Sequence, residues 1–347
     1  LGFVFVMLGF SIAACIPSAP VSPPATQTPE AATPLAKATT EEILPTPTPE
    51  ANLVVLLAPP GADSEVSLGA QSLLSELATK EGLSFETRTE FNELELNPSV
   101  RLVIALPPDP GIANLVAANP NVQFLAIGIE GLEPGPNLSL IGSAGSRPDQ
   151  RGFLAGYLAA VISQDWRVGV ISRGDTVEGN AARLGFINGV VFFCGLCRPT
   201  YPPFLQYPFY VELPDAASQV EQQAAVDQMV ASAVKTVYVS SGAGDVSLLE
   251  ALAQANIDLI GSESPAESLR DQWIASIRLD QEAAIEKLWQ DLLNGEGGNQ
   301  ISAPITITDV NSQILTPGRQ RLVEQMLSEL LTGYIDTGVD PQTGQLR

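Results

Sequence analysis

Leu53-Val54-Val55-Leu56-Leu57-Ala58 is an unbroken apolar run about one strand long, and Arg167-Val168-Gly169-Val170-Ile171-Ser172, apolar from Val168 to Ile171, reads as a strand later in the chain. A strand with one wet face alternates apolar and polar residues. A continuous apolar run instead marks a strand buried on both faces, the signature of a parallel sheet covered by helices. Outward from the first run, helical spacing of Leu73, Leu74 and Leu77 predicts a helix over 66–80. Strands follow at 84–89 and 100–106, a helix at 112–118, strands at 122–127 and 138–142, and a long helix at 149–162. Outward from the second run come a helix at 180–191, a strand at 207–213, a helix at 216–234, and strands 236–241 and 257–261 flanking a helix at 246–255.

Strand-helix alternation of this kind predicts an α/β protein with helices on both faces of parallel sheets. Two successive runs predict two lobes, 52–165 and 166–278; one large sheet fits the length less well. The remainder reads as a strand at 274–278, a helix at 281–293, a short strand at 305–307 and a last helix to about 332. Thr316-Pro317 opens that helix, with Thr at the N-cap and Pro at the first helical position. These late elements are expected to cross between the lobes as hinge segments. About 279–299 would return to the first lobe and about 300–333 to the second, leaving 334–347 as a tail.

The first fifty residues differ in kind. Leu1 to Phe10 is apolar but shorter than the roughly 20 residues a membrane span needs, and it closes on Ile12-Ala13-Ala14-Cys15. A short apolar stretch before a small-residue pair is the pattern of a signal peptide, and a cysteine directly after the pair is the lipobox of bacterial lipoproteins. Residues 1–15 are therefore expected to be a signal with Cys15 as the lipidated residue; with no Met or basic segment before Leu1, the leader reads as truncated. Residues 16–51 are rich in Pro, Thr and Ala. Proline at that density blocks helix and ladder hydrogen bonds, so a semi-rigid spacer is expected. The predicted location is extracytoplasmic, lipid-anchored to the cell membrane.

Net charge is −22 and the chain has no histidine. Such acidity disfavours nucleic acid and adsorption to anionic lipid. The missing histidine removes His-based triads, His general bases and HExxH zinc sites; no cofactor, no metal site and no enzyme activity are expected, with an extracytoplasmic enzyme working on carboxylates as the least supported alternative. Cys194 and Cys197 form a lone CxxC at a predicted helix end. A small structural disulfide, a catalytic dithiol and two free thiols are the alternatives, and placement at the end of a helix favours the disulfide.

Asp149-Gln150-Arg151-Gly152-Phe153-Leu154-Ala155-Gly156, with Trp166-Arg167-Val168-Gly169-Val170-Ile171 after it, resembles the basic membrane protein (BMP, PnrA-like) substrate-binding lipoproteins. Asn119–Ile127 and Leu184–Val190 fit that family's blocks in order, as does the segment 236–244, so the resemblance covers roughly 52–295. It implies the type I periplasmic-binding-protein fold: two Rossmann-like lobes with parallel sheets joined by a hinge of crossing strands. It further implies a monomer delivering a small polar solute, a nucleoside in the family, to an ABC permease. Where the family's first loop carries an aromatic and an Asn, this chain has Asp63-Ser64-Glu65. Gly128 stands where a ribose-binding Asp is usual, and Glu263 and Arg278 occupy the late family positions.

Ligands of open α/β sheets sit beyond the carboxyl ends of strands. That rule nominates Asp63, Asp109, Arg147, Arg173, Asp175, Ser241, Asp245, Glu263 and Arg278 as ligand-binding residues. Ser240–Asp245 either presents backbone N–H groups to a ligand or forms a tight turn capped by Asp245. Each arginine either clamps an anion or is a salt-bridged surface residue. The aromatic cluster from Phe192 to Tyr210 is either a wall over the cleft or a satellite core. A ligand-sensing or regulatory lipoprotein on the same fold, without a dedicated permease, is the alternative function.

Overall fold

The computed structural model describes residues 52–62, 64–90, 99–142 and 147–347. The signal, Cys15, the spacer and Asp63 lie outside the described residues.

The first sheet contains β1 (Leu53–Leu57), β2 (Ser84–Arg88), β3 (Val100–Ala105), β4 (Gln123–Ile127) and β5 (Leu138–Ile141), with β11 (Gln300–Ile301) added at one edge. Its order is β11-β5-β4-β3-β1-β2, and every pairing is parallel. All five residues of β1 and of β4 are buried, apolar throughout except for Gln123 at the start of β4. One face packs on α1 (Ser64–Lys80) and α7 (Gln281–Leu293) through Leu74, Ala78, Ile285 and Trp289. The other packs on α2 (Ile112–Ala118) through Ile112 and Leu115.

The second sheet is built from β6 (Val168–Arg173), β7 (Phe209–Leu213), β8 (Thr236–Val239), β9 (Asp258–Gly261), β10 (Trp273–Leu279) and β12 (Ile305–Thr308), in the order β12-β10-β9-β8-β6-β7. β12 alone is antiparallel, to β10. The cause is the crossing itself: β10 runs toward the other lobe and leaves the sheet, and the chain re-enters at β12 from that side. The strand expected from 207 begins at Phe209, because Pro208 has no N–H to give the ladder. On one face lie α5 (Gln219–Ala231) and α6 (Val246–Gln254); on the other lie α3 (Pro148–Ile162), α4 (Val177–Cys194) and α8 (Pro317–Leu331).

Two expected boundaries move. Helix α3 packs on the second sheet and on α4 and α8, not on the first, so the crossing falls before residue 147 rather than at 165. Residues 300 and 301 stay with the first sheet as β11. The segment 334–347 is no loose tail either. Its hairpin, β13 (Val339–Asp340) with β14 (Gln345–Leu346), packs on α4, and Thr337 Oγ1 donates to the buried Asp149 carboxylate at 2.7 Å. The hydroxyl of Thr316 makes no capping bond to α8.

Beyond its first turn helix α3 is apolar all round, and fourteen of its fifteen residues are buried; Arg151 is the exception. A helix without a polar face has to be enclosed. Its approach to α4 is set by four glycines. A Cβ on Gly152 or Gly156 would sit 2.0 or 2.1 Å from the carbonyl oxygen of Ala182 or Phe186, and one on Gly185 or Gly189 would sit 2.2 or 2.0 Å from that of Asp149 or Phe153. The two backbones therefore touch directly, a contact that only glycine permits.

Candidate functional site: the cleft between the lobes

The carboxyl ends of β1 and β3 in the first lobe face those of β8, β9 and β10 in the second across a cleft of about 970 Å³. That volume suits a small organic molecule. The first lobe contributes Gly61, Val66, Leu68, Gly69, Leu106, Pro107, Pro108, Glu282 and Ile285, a mainly apolar wall. From the second come Arg151, Ser241, Ser262, Glu263 and Arg278, a polar one. Leu279 and Asp280, where β10 passes into α7, sit at the joint between them.

Three of the residues nominated from the sequence line this cleft: Ser241, Glu263 and Arg278. Ser241 is exposed after β8, in a turn closed by Ala243 N donating to Ser240 O at 3.0 Å. Ser262 is half-buried and donates to Val239 O at 3.1 Å. Below Glu263, Ser276 Oγ donates to the Glu263 carbonyl at 2.8 Å and accepts from Trp273 Nε1 at 3.1 Å, which fixes the backbone of this loop.

The other nominated residues have structural work elsewhere. Asp109 is not among the cleft residues and accepts from Gly111 N and Ile112 N at 2.9 and 3.0 Å, closing the turn into α2. Asp245 caps α6 by accepting from Ser247 N and Leu248 N; the Ser247 hydroxyl leads the contacts that lower its pKa. Arg147 grips Asp149 with two bonds of 2.8 Å, and that carboxylate is fully buried. The Asp149 bond holds the Arg147 pKa up against the opposing effect of burial. Arg173 pairs with Asp175 at 3.6 Å and Asp215 at 3.2 Å. Asp175 itself is held below the usual carboxylate range, first by the Asp215 backbone N–H. The rule that picks strand ends could not separate these caps and ion pairs from cleft residues, because both occupy the same edge of the sheet.

The aromatic cluster from Phe192 to Tyr210 is neither a cleft wall nor a satellite core: none of its rings lines the cleft, Tyr207 is buried, and Phe192, Phe193, Tyr201, Phe204 and Tyr210 are exposed. Phe193 meets Tyr157 edge-on at 5.3 Å and Trp166 at 6.0 Å, while Phe192 lies 5.6 Å from Phe153. The Tyr207 hydroxyl donates to Ser232 O. Buried Arg167 donates to the Tyr201 and Pro202 carbonyls at 2.7 and 2.9 Å and pairs with Asp165 at 2.7 Å, tying the loop down. Cys194 and Cys197 are paired as a disulfide at the end of α4. None of the described residues lining the cleft is aromatic. Among the described residues no cluster of three His, Cys, Asp or Glu could hold a metal ion, and no helix is long and apolar enough to cross a membrane.

Sequence reasoning passed over Arg151, Ser262, Pro107-Pro108 and the Asp280-Gln281-Glu282 run. A lone cation following Asp149-Gln150 in an otherwise apolar helix was a signal for the first. Leu106-Pro107-Pro108 follows the carboxyl end of a strand, so the strand-end rule itself could have found it. The third run reaches the cleft only because the chain crosses there between lobes.

No protein-family model matches the chain, and no curated protein sequence matches it. Solved structures do. An ABC transporter solute-binding protein from Conexibacter woesei superposes with a TM-score of 0.62 at 17% identity, over 82% of this chain and 98% of that one. An ABC transporter solute-binding protein from Aeropyrum pernix gives 0.56 at 14% identity, over 82% and 92%. A transcriptional activator of the comK gene from Bacillus halodurans gives 0.56 at 16% identity, over 85% and 99%. At such identities the likeness speaks for the fold alone. Two parallel-sheet lobes, linked by crossings and matched along nearly the whole of these structures, give the chain the type I periplasmic-binding-protein fold.

Proposed function

We propose that this is a solute-binding protein that closes its two lobes on a small polar molecule and hands it to an ABC permease, held at the outer face of the cell membrane by a lipid on Cys15. The observation that carries the reading is the cleft: both lobes and the joint between them line one cavity of about 970 Å³. A ligand touching both walls makes contacts in the closed state that the open state lacks, and that difference drives closure. Among the described residues, the crossings at 279–281 and 301–305 serve as the hinge. The superpositions on ABC transporter solute-binding proteins support a transport role. The sequence resemblance to BMP-type proteins points to nucleosides. Against nucleosides stands the lack of an aromatic among the described cleft residues, since a base needs a π-surface.

The test is a thermal-shift screen of nucleosides, sugars, amino acids and organic acids, followed by small-angle scattering on any hit. A ligand at 100 times its Kd stabilises by about 2.7 kcal/mol, and closure reduces the radius of gyration. A ligand that binds without compaction would refute closure, and no stabilisation by any class would refute solute binding. The superposition on a transcriptional activator is the observation behind a second reading, a sensing lipoprotein. Co-purification of the full chain with a permease from detergent-solubilised membranes separates the two, because a sensor would bring none.

A further inference from the structure

We propose that the solute carries a carboxylate and that Arg151 receives it; this rests on the cleft being the solute site. Arg151 is the one residue of α3 that is not buried, and it opens onto the cleft. Its Nε is nevertheless shielded from solvent, with no hydrogen-bond partner. No described side chain forms an ion pair with it, whereas Arg147, Arg167, Arg173 and Arg183 each sit against a carboxylate. A guanidinium N–H that has lost water and gained no acceptor is unfavourable by itself. A planar carboxylate arriving in the cleft would satisfy it with charge-assisted bonds in the fork geometry that arginine presents.

The rest of the cleft narrows the class. Ser241 and Ser262 bring hydroxyl groups to the same polar wall. Opposite, Val66, Leu68, Leu106 and Pro107 offer an apolar surface to the body of the molecule. Glu263, Asp280 and Glu282 also line the cavity, and each additional negative charge on a ligand would be repelled by them. A monocarboxylate with a short apolar body fits this balance better than a phosphate dianion.

The full chain is tested by thermal shift and calorimetry with lactate, isovalerate and leucine, and in parallel with adenosine, arabinose and inorganic phosphate. Stabilisation by at least one carboxylate is expected, with Arg151→Gln weakening that binding at least tenfold and leaving the unliganded melting point within a few degrees. Should Arg151→Gln fail to fold, Arg151→Lys keeps the charge but not the fork, and a severalfold loss is expected. Carboxylate binding undiminished in either folded variant overturns the assignment. Stabilisation by adenosine, arabinose or phosphate with no response to the carboxylates also overturns it, while leaving solute binding intact. No response to any of the six counts against both.

Discussion

Replacing Gly156 by Ala puts a methyl group 2.1 Å from the carbonyl oxygen of Phe186, where ordinary contact begins at 3.4 Å. The obstacle is backbone, so no rotamer change relieves it, and α3 and α4 must part by roughly 1 Å. Overpacking of this kind costs about 1–3 kcal/mol. The hard backbone contact places this case at or beyond the upper end, and Ala recovers about 1 kcal/mol of helix propensity. The net loss is about 2 kcal/mol. Gly318 of α8 is the control: its added Cβ meets only the end of the Arg321 side chain, at 4.0 Å. There Gly→Ala should stabilise by about 0.5 kcal/mol, through the unfolded chain's lost freedom. Urea unfolding at unchanged m reads both signs, and in a body of this size the melting point moves by about 2 °C per kcal/mol. Gly156→Ala should therefore melt about 4 °C lower and Gly318→Ala about 1 °C higher. Adding Gly152→Ala to Gly156→Ala should cost less than the sum, since the first methyl has already opened the gap. A Gly156→Ala variant as stable as the parent would refute the claim that glycine contact sets the distance between these helices.

Other perturbations test different parts of the body. Arg167→Ala leaves Asp165 and two loop carbonyls without their buried partner; a loss of about 3–5 kcal/mol is expected, with faster proteolysis between 198 and 208. Asp309 makes an acid limb. Burial alone would raise its pKa, but hydrogen bonds from Ser264 and Thr308, with the Arg278 charge, oppose this and hold it low. A carboxyl depressed in the folded state contributes stability that is full above its unfolded value, about 3.9, and lost as pH falls through the folded one. Asp309→Asn should thus be less stable than the parent at neutral pH, with the gap closing below about pH 4; a constant gap down to pH 2 would contradict this. Reducing Cys194–Cys197, only three residues apart, should cost about 2 kcal/mol or less because the closed loop is short.

Much of the fold was legible along the chain because it is a local matter. Buried parallel strands are apolar on both faces, and β1 is written that way throughout, β4 from Phe124 and β6 as far as Ile171. Helix α7 was predicted at its observed bounds, 281–293, and its N-cap Asp280 accepts from Ala283 N. Less legible was which lobe a helix joins. A helix such as α3, apolar beyond its first turn, has no polar face to indicate its partner, and only the glycine contacts with α4 decide it.

The site divides in the same way. Ser241, Glu263 and Arg278 could be found from position, because they follow strands whose carboxyl ends face the cleft. Asp109, Arg147, Arg173 and Asp245 satisfied the same rule and are caps or ion pairs, since a carboxylate or guanidinium looks identical in sequence whether its partner is a ligand or a backbone N–H. The sequence by itself determined the alternation of strands and helices and the two-lobed class, because burial and backbone period act over a few neighbouring residues. Tertiary structure alone decided where the chain crosses, which cations are already neutralised, and that Arg151 is left facing the cavity, because those depend on what distant segments bring to the same place.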